Sequence, residues 1–588
     1  MAKYFLSDLN SIDADSQNKR EVAIMKDIYL DIMEKALSAY TEERIREYIA
    51  EVRRDGLTEH GFPRMGANIG VLMAHGRRLE LKAEFIEIID LCLYGFAHPQ
   101  NKSKGGNNFA VREVCYAIME LEKTDVIDRE QLEAWKEKLK ALDISTTYTH
   151  IVSEDVKHPN NWAYFGVLSE QTRGLLCGIP TDAFLEHQLP SQLLRLDENE
   201  MYRDHSLSGP HQPLVYDLVT RNLIGLSLFM GYKGKYAERI EKMMKDSDEL
   251  TLKMQSVTGE IAFGGRSNQC VHNEMLQANY YELRATLLKR KGDLDKAGIF
   301  KAAAKKAAEA CMLWLREPMS HIKNHFDPDL QLGCEGYAYF NKYMITVASN
   351  AYLAYHVADD SIAPTVAPTD MSGFVAQTGA DFHKVFMNAG GYFLEFDCNA
   401  DTAYDANGLG RVHKKDCDTR VCLSVPFPAG KTNYKLETPN KHPLSICCFK
   451  STEDGIICSA EDGVKHLLIS KTEGADRCSA VFDCVLNEKR VFTEECTVSS
   501  RGVDINFTGA DGILVPAFLF DGAKETDIIV SDGQIVIKYN GSFCKYTFKG
   551  EPQDYGVFFN RNGRYRAYSI ATDKLHIEMG DAYNYVTF

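Results

Sequence analysis

A two-domain chain, α-helical first and antiparallel β after, is what this 588-residue sequence predicts. Three observations carry that expectation. The length exceeds what one hydrophobic core usually supports, so more than one domain is needed. From about Asp15 to Ala358 the apolar residues recur at helical spacing, in segments separated by Gly, Pro and polar clusters. Beyond residue 373 the pattern changes to short alternating or β-branched runs divided by Gly, Asp and Asn turns, the signature of an antiparallel sandwich. The expected division is a helical domain over 1–358, a linker over 359–373 and a β-sandwich over 374–588.

In chain order, helices are predicted from KREVAIMKDIYLDIMEKALSAY, LKAEFIEIIDLCLYGFA, NFAVREVCYAIMELEK, LVYDLVTRNLIGLSLFMG and KAGIFKAAAKKAAEACMLWL, the last preceded by Gly292 as a turn and Asp293 as an N-cap. About ten to twelve helices are expected by this periodicity. No tetratricopeptide or armadillo signature is visible, which disfavours a regular solenoid and allows a closed ring of helical hairpins. Pro364 and Pro368 break the pattern in DDSIAPTVAPTDMSG. Strands are then predicted in GGYFLEFDCN, TRVCLSVPF, LSICCFK, SAVFDCVL, GQIVIKYN and FCKYTFKG, among others. A helical layer followed by a β layer places ligand sites near their junction.

The composition, 45% hydrophobic and 26% charged, is that of a folded globular protein. A formal charge of −16 argues against nucleic acid or an anionic membrane as the main partner, and leaves an acidic small substrate open, since a pocket needs only a few local cations. No apolar run of signal-peptide length opens the sequence and none reaches the roughly 20 residues of a membrane span, so a cytoplasmic protein is expected. Ten of the 16 cysteines follow residue 390 and none forms a CxxC pair, which predicts reduced, mostly buried thiols. A homodimer is the expectation from base rates.

Four stretches are too rich in polar residues for plain scaffold. GEIAFGGRSNQCVHNEM (259–275) leads from Gly264-Gly265 to Arg266, Asn268, Gln269, His272 and Asn273. A helix starting near Ser267 would set Asn268 and His272 on one face, as donors for sugar hydroxyls or a carboxylate, with His272 able to move a proton. MYRDHSLSGPHQPLVYDLVTRN (201–222) carries Asp204, His205 and His211 in a loop that runs into a helix bearing Tyr216, Asp217 and Arg221. LGCEGYAYFNKYM (332–344) spaces Glu335, Tyr339 and Tyr343 four apart, a tyrosine platform beside a carboxylate that suits a sugar ring. ANGLGRVHKKDC (406–417) puts Arg411, His413 and Lys414 in a turn-rich setting that could close one side of an anionic pocket. Each also has a plain structural reading: a capped surface helix, a long connection, an aromatic core stripe and a solvated hairpin. Asn161 with Trp162, and Arg64 with Asn68, are weaker candidates for the same cleft.

Walker, Rossmann, HExxH, GxSxG and zinc-spaced Cys/His motifs are absent from the sequence, so no cofactor and no metal ligand is assigned. With GGRSNQCVHNE, CEGYAYFNKYM and GRVHKK as a set, the chain resembles the heparinase II/III-type and alginate-type polysaccharide lyases and the toroid-type β-glucuronidases. The resemblance implies an (α/α) helical toroid followed by an antiparallel β-sandwich, with the site in the toroid cleft and cleavage of glycosidic bonds in uronic-acid oligosaccharides or glucuronides. Exo-acting, β-glucuronidase-like hydrolysis is favoured, with Asp217 and Glu335 as the carboxyl pair, Asp204 and Glu274 behind them, and Arg266 and His413 holding the uronate. A lyase would instead use Asn268, Gln269 and His272 to neutralise the carboxylate, and Tyr216, Tyr339 or His272 as base and acid. His211, Trp162 and Asn273 are expected to line the substrate. A carbohydrate-binding scaffold without catalysis is the third reading.

Overall fold

Between Ala14 and Val357, helices of the described residues alternate between an outer and an inner layer, because stripes of different width compel different burial. The computed structural model describes residues 14–99, 106–153, 156, 160–204, 210–371, 373–453 and 455–582. In chain order the helices are α1 (Ala14–Ser38), α2 (Glu42–Asp55), α3 (Gly61–Ala74), α4 (Lys82–Ala97), α5 (Asn107–Leu121), α6 (Arg129–Lys140), α7 (Ile144–Thr147), α8 (Asn161–Cys177), α9 (Asp182–Leu193), α10 (Leu214–Phe229), α11 (Ala237–Lys253), α12 (His272–Arg290), α13 (Leu294–Trp314), α14 (Phe340–Val357) and α15 (Pro368–Met371). Helices α2, α6 and α11 bury a single stripe, as amphipathic surface helices do, whereas α12 is buried on all sides from His272 to Leu288.

The buried helices close a ring. Helix α3 packs on α5, α5 on α8, α8 on α10, α10 on α12, α12 on α14, and α14 back on α3. Outside it, α1 covers α14 and α3, α4 covers α3 and α5, α6 and α9 cover α8, α11 covers α10, and α13 covers α12. This is an (α/α) toroid. Since each outer helix returns the chain to the same rim, the six inner helices begin at one end. Glycines set some of the spacing: a Cβ on Gly70 of α3 would lie 2.5 Å from Phe85 Cε2 of α4. Asp293 caps α13 as predicted, its side chain accepting from Lys296 N at 3.1 Å.

From Phe374 onward the chain is built of antiparallel sheets. A four-stranded sheet comes first: β1 (Phe374–Gln377), β2 (Lys384–Ala389), β3 (Tyr392–Asp397) and β4 (Gly408–Lys414). Its two faces explain why its strands are almost wholly buried. Val385, Met387, Leu394 and Phe396 join the core shared with an eight-stranded sheet and a five-stranded sheet behind. Phe386 and Phe393 point the other way, into a cluster with Met201, Leu214, Val257 and Ala262 of the helical domain. The segment 419–427, expected as a strand, makes only isolated bridges, Val412 to Leu423 and Phe427 to Leu444. In the stretch read as a linker, α15 is pinned by Asp370, which pairs with Lys306 at 2.9 Å and Lys415 at 3.0 Å.

All 16 cysteines are free thiols and most are buried. No helix among the described residues is long and apolar enough to cross a membrane.

Candidate active site

The rim where the inner helices begin surrounds a cavity of about 350 Å³. Arg64 from α3, Arg112 from α5, Trp162 from α8, Tyr216 from α10, His272 from α12, and Lys342 with Tyr343 from α14 all face it. The preceding loops add Arg266, Ser267 and Tyr337. Six helix N-termini and four cationic side chains converge here, so the cavity favours an anion. Among the described lining residues there is no Asp or Glu.

Carboxylates stand behind the cations and fix them. Arg266 bonds Asp204, which also accepts the backbone N–H of Asn161 at 3.1 Å. The Arg266 guanidinium lies 4.3 Å from the centre of the Tyr216 ring. Glu113 serves two guanidinium groups, at 3.5 Å from Arg64 and 3.2 Å from Arg112, leaving positive charge over. Arg64 also donates to Thr346 Oγ1 at 2.6 Å. Burial pulls the Lys342 ammonium below its ordinary range.

A chain of hydroxyls occupies one wall. Ser267 Oγ lies 3.0 Å from Tyr216 Oη and 2.9 Å from Tyr337 Oη. Its backbone is left-handed, with φ 57°, and its N–H donates to Glu335 Oε1 at 2.7 Å. Burial raises the Tyr216 phenol, while Arg266 and the Ser267 bond act to lower it. Burial, with Arg64 nearby, lowers His272 to about 3, so its imidazole is neutral. The His272 ring centre is 5.2 Å from that of Tyr343.

Several expected site residues stand elsewhere. Asp217 is fully buried in a bidentate pair with Arg221, at 2.7 and 2.5 Å, and accepts the N–H of Tyr202 at 2.6 Å. Glu335 is occupied by Ser267 and by Arg561 at 3.0 Å, and Glu274 by Lys323 at 2.5 Å. Tyr339 is 55% exposed, because α14 starts only at Phe340 and the four-residue spacing falls in a turn. Helix α12 starts at His272, not near Ser267; positive φ at Ser267 and Gln269 makes the preceding stretch a tight turn. Asn268, Gln269 and Asn273 therefore brace that turn: Asn268 donates to Ala262 O at 3.0 Å, Gln269 to Asn268 Oδ1 at 2.7 Å and Asn273 to Ser267 O at 3.0 Å. His211 sits 3.2 Å from His383 at the domain junction. Arg411 and His413 lie buried on strand β4 rather than in a solvated loop; His413 contacts Ser256 Oγ at 2.8 Å and Ser424 Oγ at 2.7 Å. Asn68 donates to Met33 O at 3.4 Å, and His205 lies outside the described residues.

The cavity thus receives Tyr216, His272, Arg266, Trp162, Asn161, Arg64 and Tyr343 from the candidates, and adds Arg112, Lys342, Tyr337 and Ser267. Arg112 was missed because it sits in an ordinary helical pattern without a local cluster, and Lys342 because its stretch was read for its tyrosines and Glu335.

Among the described residues, one side-chain set could hold a metal, in the β domain and not in the cavity lining. His466 Nδ1 lies 3.6 Å from both Cys484 Sγ and Glu494 Oε2. His466 Nε2 lies 2.9 Å from Ser459 O, so Nδ1 is the ring nitrogen turned to Cys484 and Glu494, and against the lowering effect of burial these two groups hold the imidazole well above its ordinary range. Both Glu494 oxygens are buried without a hydrogen-bond partner. Nitrogen, thiolate and carboxylate together suit a zinc-like cation.

No protein-family model matches the sequence, and no curated protein matches it. Solved structures that align with the chain include a chondroitin lyase that is a baculovirus envelope protein, at TM-score 0.44 and 9% identity over 86% of this chain and 72% of that one. A heparan sulfate lyase mutant from Pedobacter heparinus aligns at TM-score 0.36 and 7% identity, over 88% and 76%. A GH127 β-L-arabinofuranosidase from Geobacillus stearothermophilus T6 aligns at TM-score 0.35 and 11% identity, over 95% and 98%.

Proposed function

We propose that the protein is a carbohydrate-active enzyme that cleaves uronic-acid oligosaccharides by β-elimination in the toroid cavity. The observation that carries this reading is the make-up of the described lining: four cations, three tyrosines and two histidines kept neutral by burial, His60 and His272, with no carboxylic acid. Hydrolysis would need two carboxyl groups facing each other across the scissile bond. Asp217 and Glu335, the pair favoured by the sequence, are instead held in buried ion pairs.

Elimination asks for what the cavity has. Cations beside the uronate carboxylate spread the charge that develops when the C5 proton leaves. Neutral His272 accepts that proton, and a phenol, Tyr216 through Ser267 or Tyr343, delivers one to the departing C4 oxygen. A C4–C5 double bond forms as the C4–O bond breaks, leaving an unsaturated uronate and a free hydroxyl on the other fragment.

The test offers purified protein a panel of uronate oligosaccharides and a chromogenic β-glucuronide, following ultraviolet absorbance of the new double bond and aglycone release together. Rising absorbance is expected, and Tyr216→Phe is expected to slow it by about 10²–10⁴-fold, the usual weight of one proton-transfer group. Aglycone release without new absorbance would overturn elimination in favour of hydrolysis.

A further inference from the structure

The tip of a β-domain hairpin reaches into the wall of the cavity. Strands Gln553–Phe559 and Arg564–Ile570 are joined by a turn whose Asn560 Oδ1 accepts the N–H groups of Asn562 at 2.9 Å and Gly563 at 3.2 Å. This self-capped turn presents Arg561, only 2% exposed, to the helical domain. The guanidinium meets Glu335 Oε1 at 3.0 Å, Gly333 O at 3.0 Å, Gly265 O at 3.2 Å and Asn268 O at 3.3 Å, with the Tyr434 ring centre 4.0 Å away. Beside it, Asn562 Nδ2 donates to Gln269 Oε1 at 3.2 Å and to Lys323 O at 3.0 Å.

These acceptors bracket one residue. Gly265 and Asn268 flank Ser267 on either side, and Glu335 receives the Ser267 N–H. Ser267 needs such support, since a serine at φ 57° occupies a region that side chains other than Gly, Asn and Asp rarely adopt. Its hydroxyl in turn joins Tyr216 to Tyr337. A fork of fixed N–H groups can hold four acceptors at set angles, which an ammonium point charge cannot do.

We infer that Arg561 is a positioning residue of the active site: the β domain uses it to lock the 265–269 turn and so to align the Tyr216–Ser267–Tyr337 hydroxyl chain. Arg561 touches no substrate in this scheme and acts on Ser267 through Glu335 and the carbonyls of Gly265 and Asn268. The role in turnover rests on the elimination reading above; the locking of the turn does not.

The experiment compares wild type, Arg561→Lys, Glu335→Gln and the double variant, with thermal unfolding as the check on folding. Amide hydrogen exchange over residues 264–269 reads the turn without any substrate, and kcat, KM and the pH profile of double-bond formation read the chemistry. Faster exchange confined to 264–269 is expected in Arg561→Lys. Its kcat is expected to fall about 10–100-fold with KM changed less than about threefold and the alkaline limb displaced, the pattern of an effect realised only in the transition state. The double variant should lose little more than Arg561→Lys alone, because the link to Glu335 is already broken there. Unchanged exchange with unchanged kcat in Arg561→Lys would overturn the inference, as would additive losses. Should Arg561→Lys fail to fold, Arg561→Gln, which loses both the charge and the fork, is read in its place: wild-type exchange and kcat there overturn the inference equally. If wild type cleaves no uronate, the functional reading fails, and the exchange comparison still decides whether Arg561 holds the turn.

Discussion

Asp217 and Tyr216 are neighbours in sequence and opposites in role, which shows how burial separates scaffold from chemistry. Tyr216 lines the cavity, whereas Asp217 points away from it and neutralises Arg221, itself bonded to Ser247 and Thr251 at 2.9 Å and Tyr280 at 3.1 Å. Removing one partner of a buried pair leaves the other charge uncompensated, a loss of about 3–5 kcal/mol. Asp217→Asn is therefore expected to lower the unfolding midpoint strongly while the folded fraction keeps its turnover. Lost turnover at an unchanged midpoint would instead return Asp217 to the chemistry. Sequence reasoning could name Tyr216, His272 and Arg266 because Gly, aromatic and donor residues crowd around them. It could not tell which carboxylates face solvent, ligand or a guanidinium, since an i, i+4 Asp–Arg pair looks alike in a site and in a core. Nor could it find Arg561, whose partner Glu335 is remote in the chain and meets it only through packing of the two domains.

At the scale of elements, the helical half was legible because its signal is local. Period 3.6, Asp293 as a cap and the proline breaks of the connection are all written within a few residues. The small sheet was harder to read: β2, β3 and β4 are covered on both faces, so Arg411, Glu395 and Lys384, all buried, resemble surface charges in the sequence. Ring closure also leaves marks at single glycines. The Cβ of an alanine at position 70 would stand 2.5 Å from Phe85 Cε2 and 3.0 Å from Ala117 Cβ, and Phe85 is itself fully buried. Overpacking of this kind costs about 1–3 kcal/mol. Alanine gains only about 1 kcal/mol over glycine in helix propensity. Gly70→Ala is thus expected to destabilise the protein in denaturant titration, despite the better helix former. A stabilised variant would mean that α3 and α4 can move apart and that their close approach does not set the ring.

Across the whole molecule, the two domains are joined by charges from one and backbone groups from the other. Arg411 donates to Ile261 O at 2.8 Å, Glu395 accepts the N–H of Phe263 at 3.2 Å, and Asp405 accepts that of Gly265 at 2.8 Å, so the stretch leading to Ser267 is fixed from the β side. Burial raises Glu395 to about 7, against the opposing pull of Arg411 at 3.1 Å and Lys384 at 3.6 Å, and raises Asp405 to about 6. A carboxyl whose folded pKa lies above its unfolded value binds its proton more tightly in the folded protein. Its contribution to stability is complete below the unfolded value, near 4.5 for Glu, and is lost as pH rises through about 7. Glu395→Gln keeps an acceptor for Phe263 and abolishes that titration. Wild type and variant are therefore expected to diverge between pH 5 and pH 8, with wild type losing ground as pH rises. Buried His272 and His321, lowered by burial to about 3 and about 4, act in the opposite sense, adding stability as pH rises toward 6.5. They are present in both proteins and cancel in the difference. A wild type that gains on the variant with rising pH would show that the ion pair with Arg411 outweighs desolvation, and that the ionised carboxylate is what ties the β domain to the wall of the cavity.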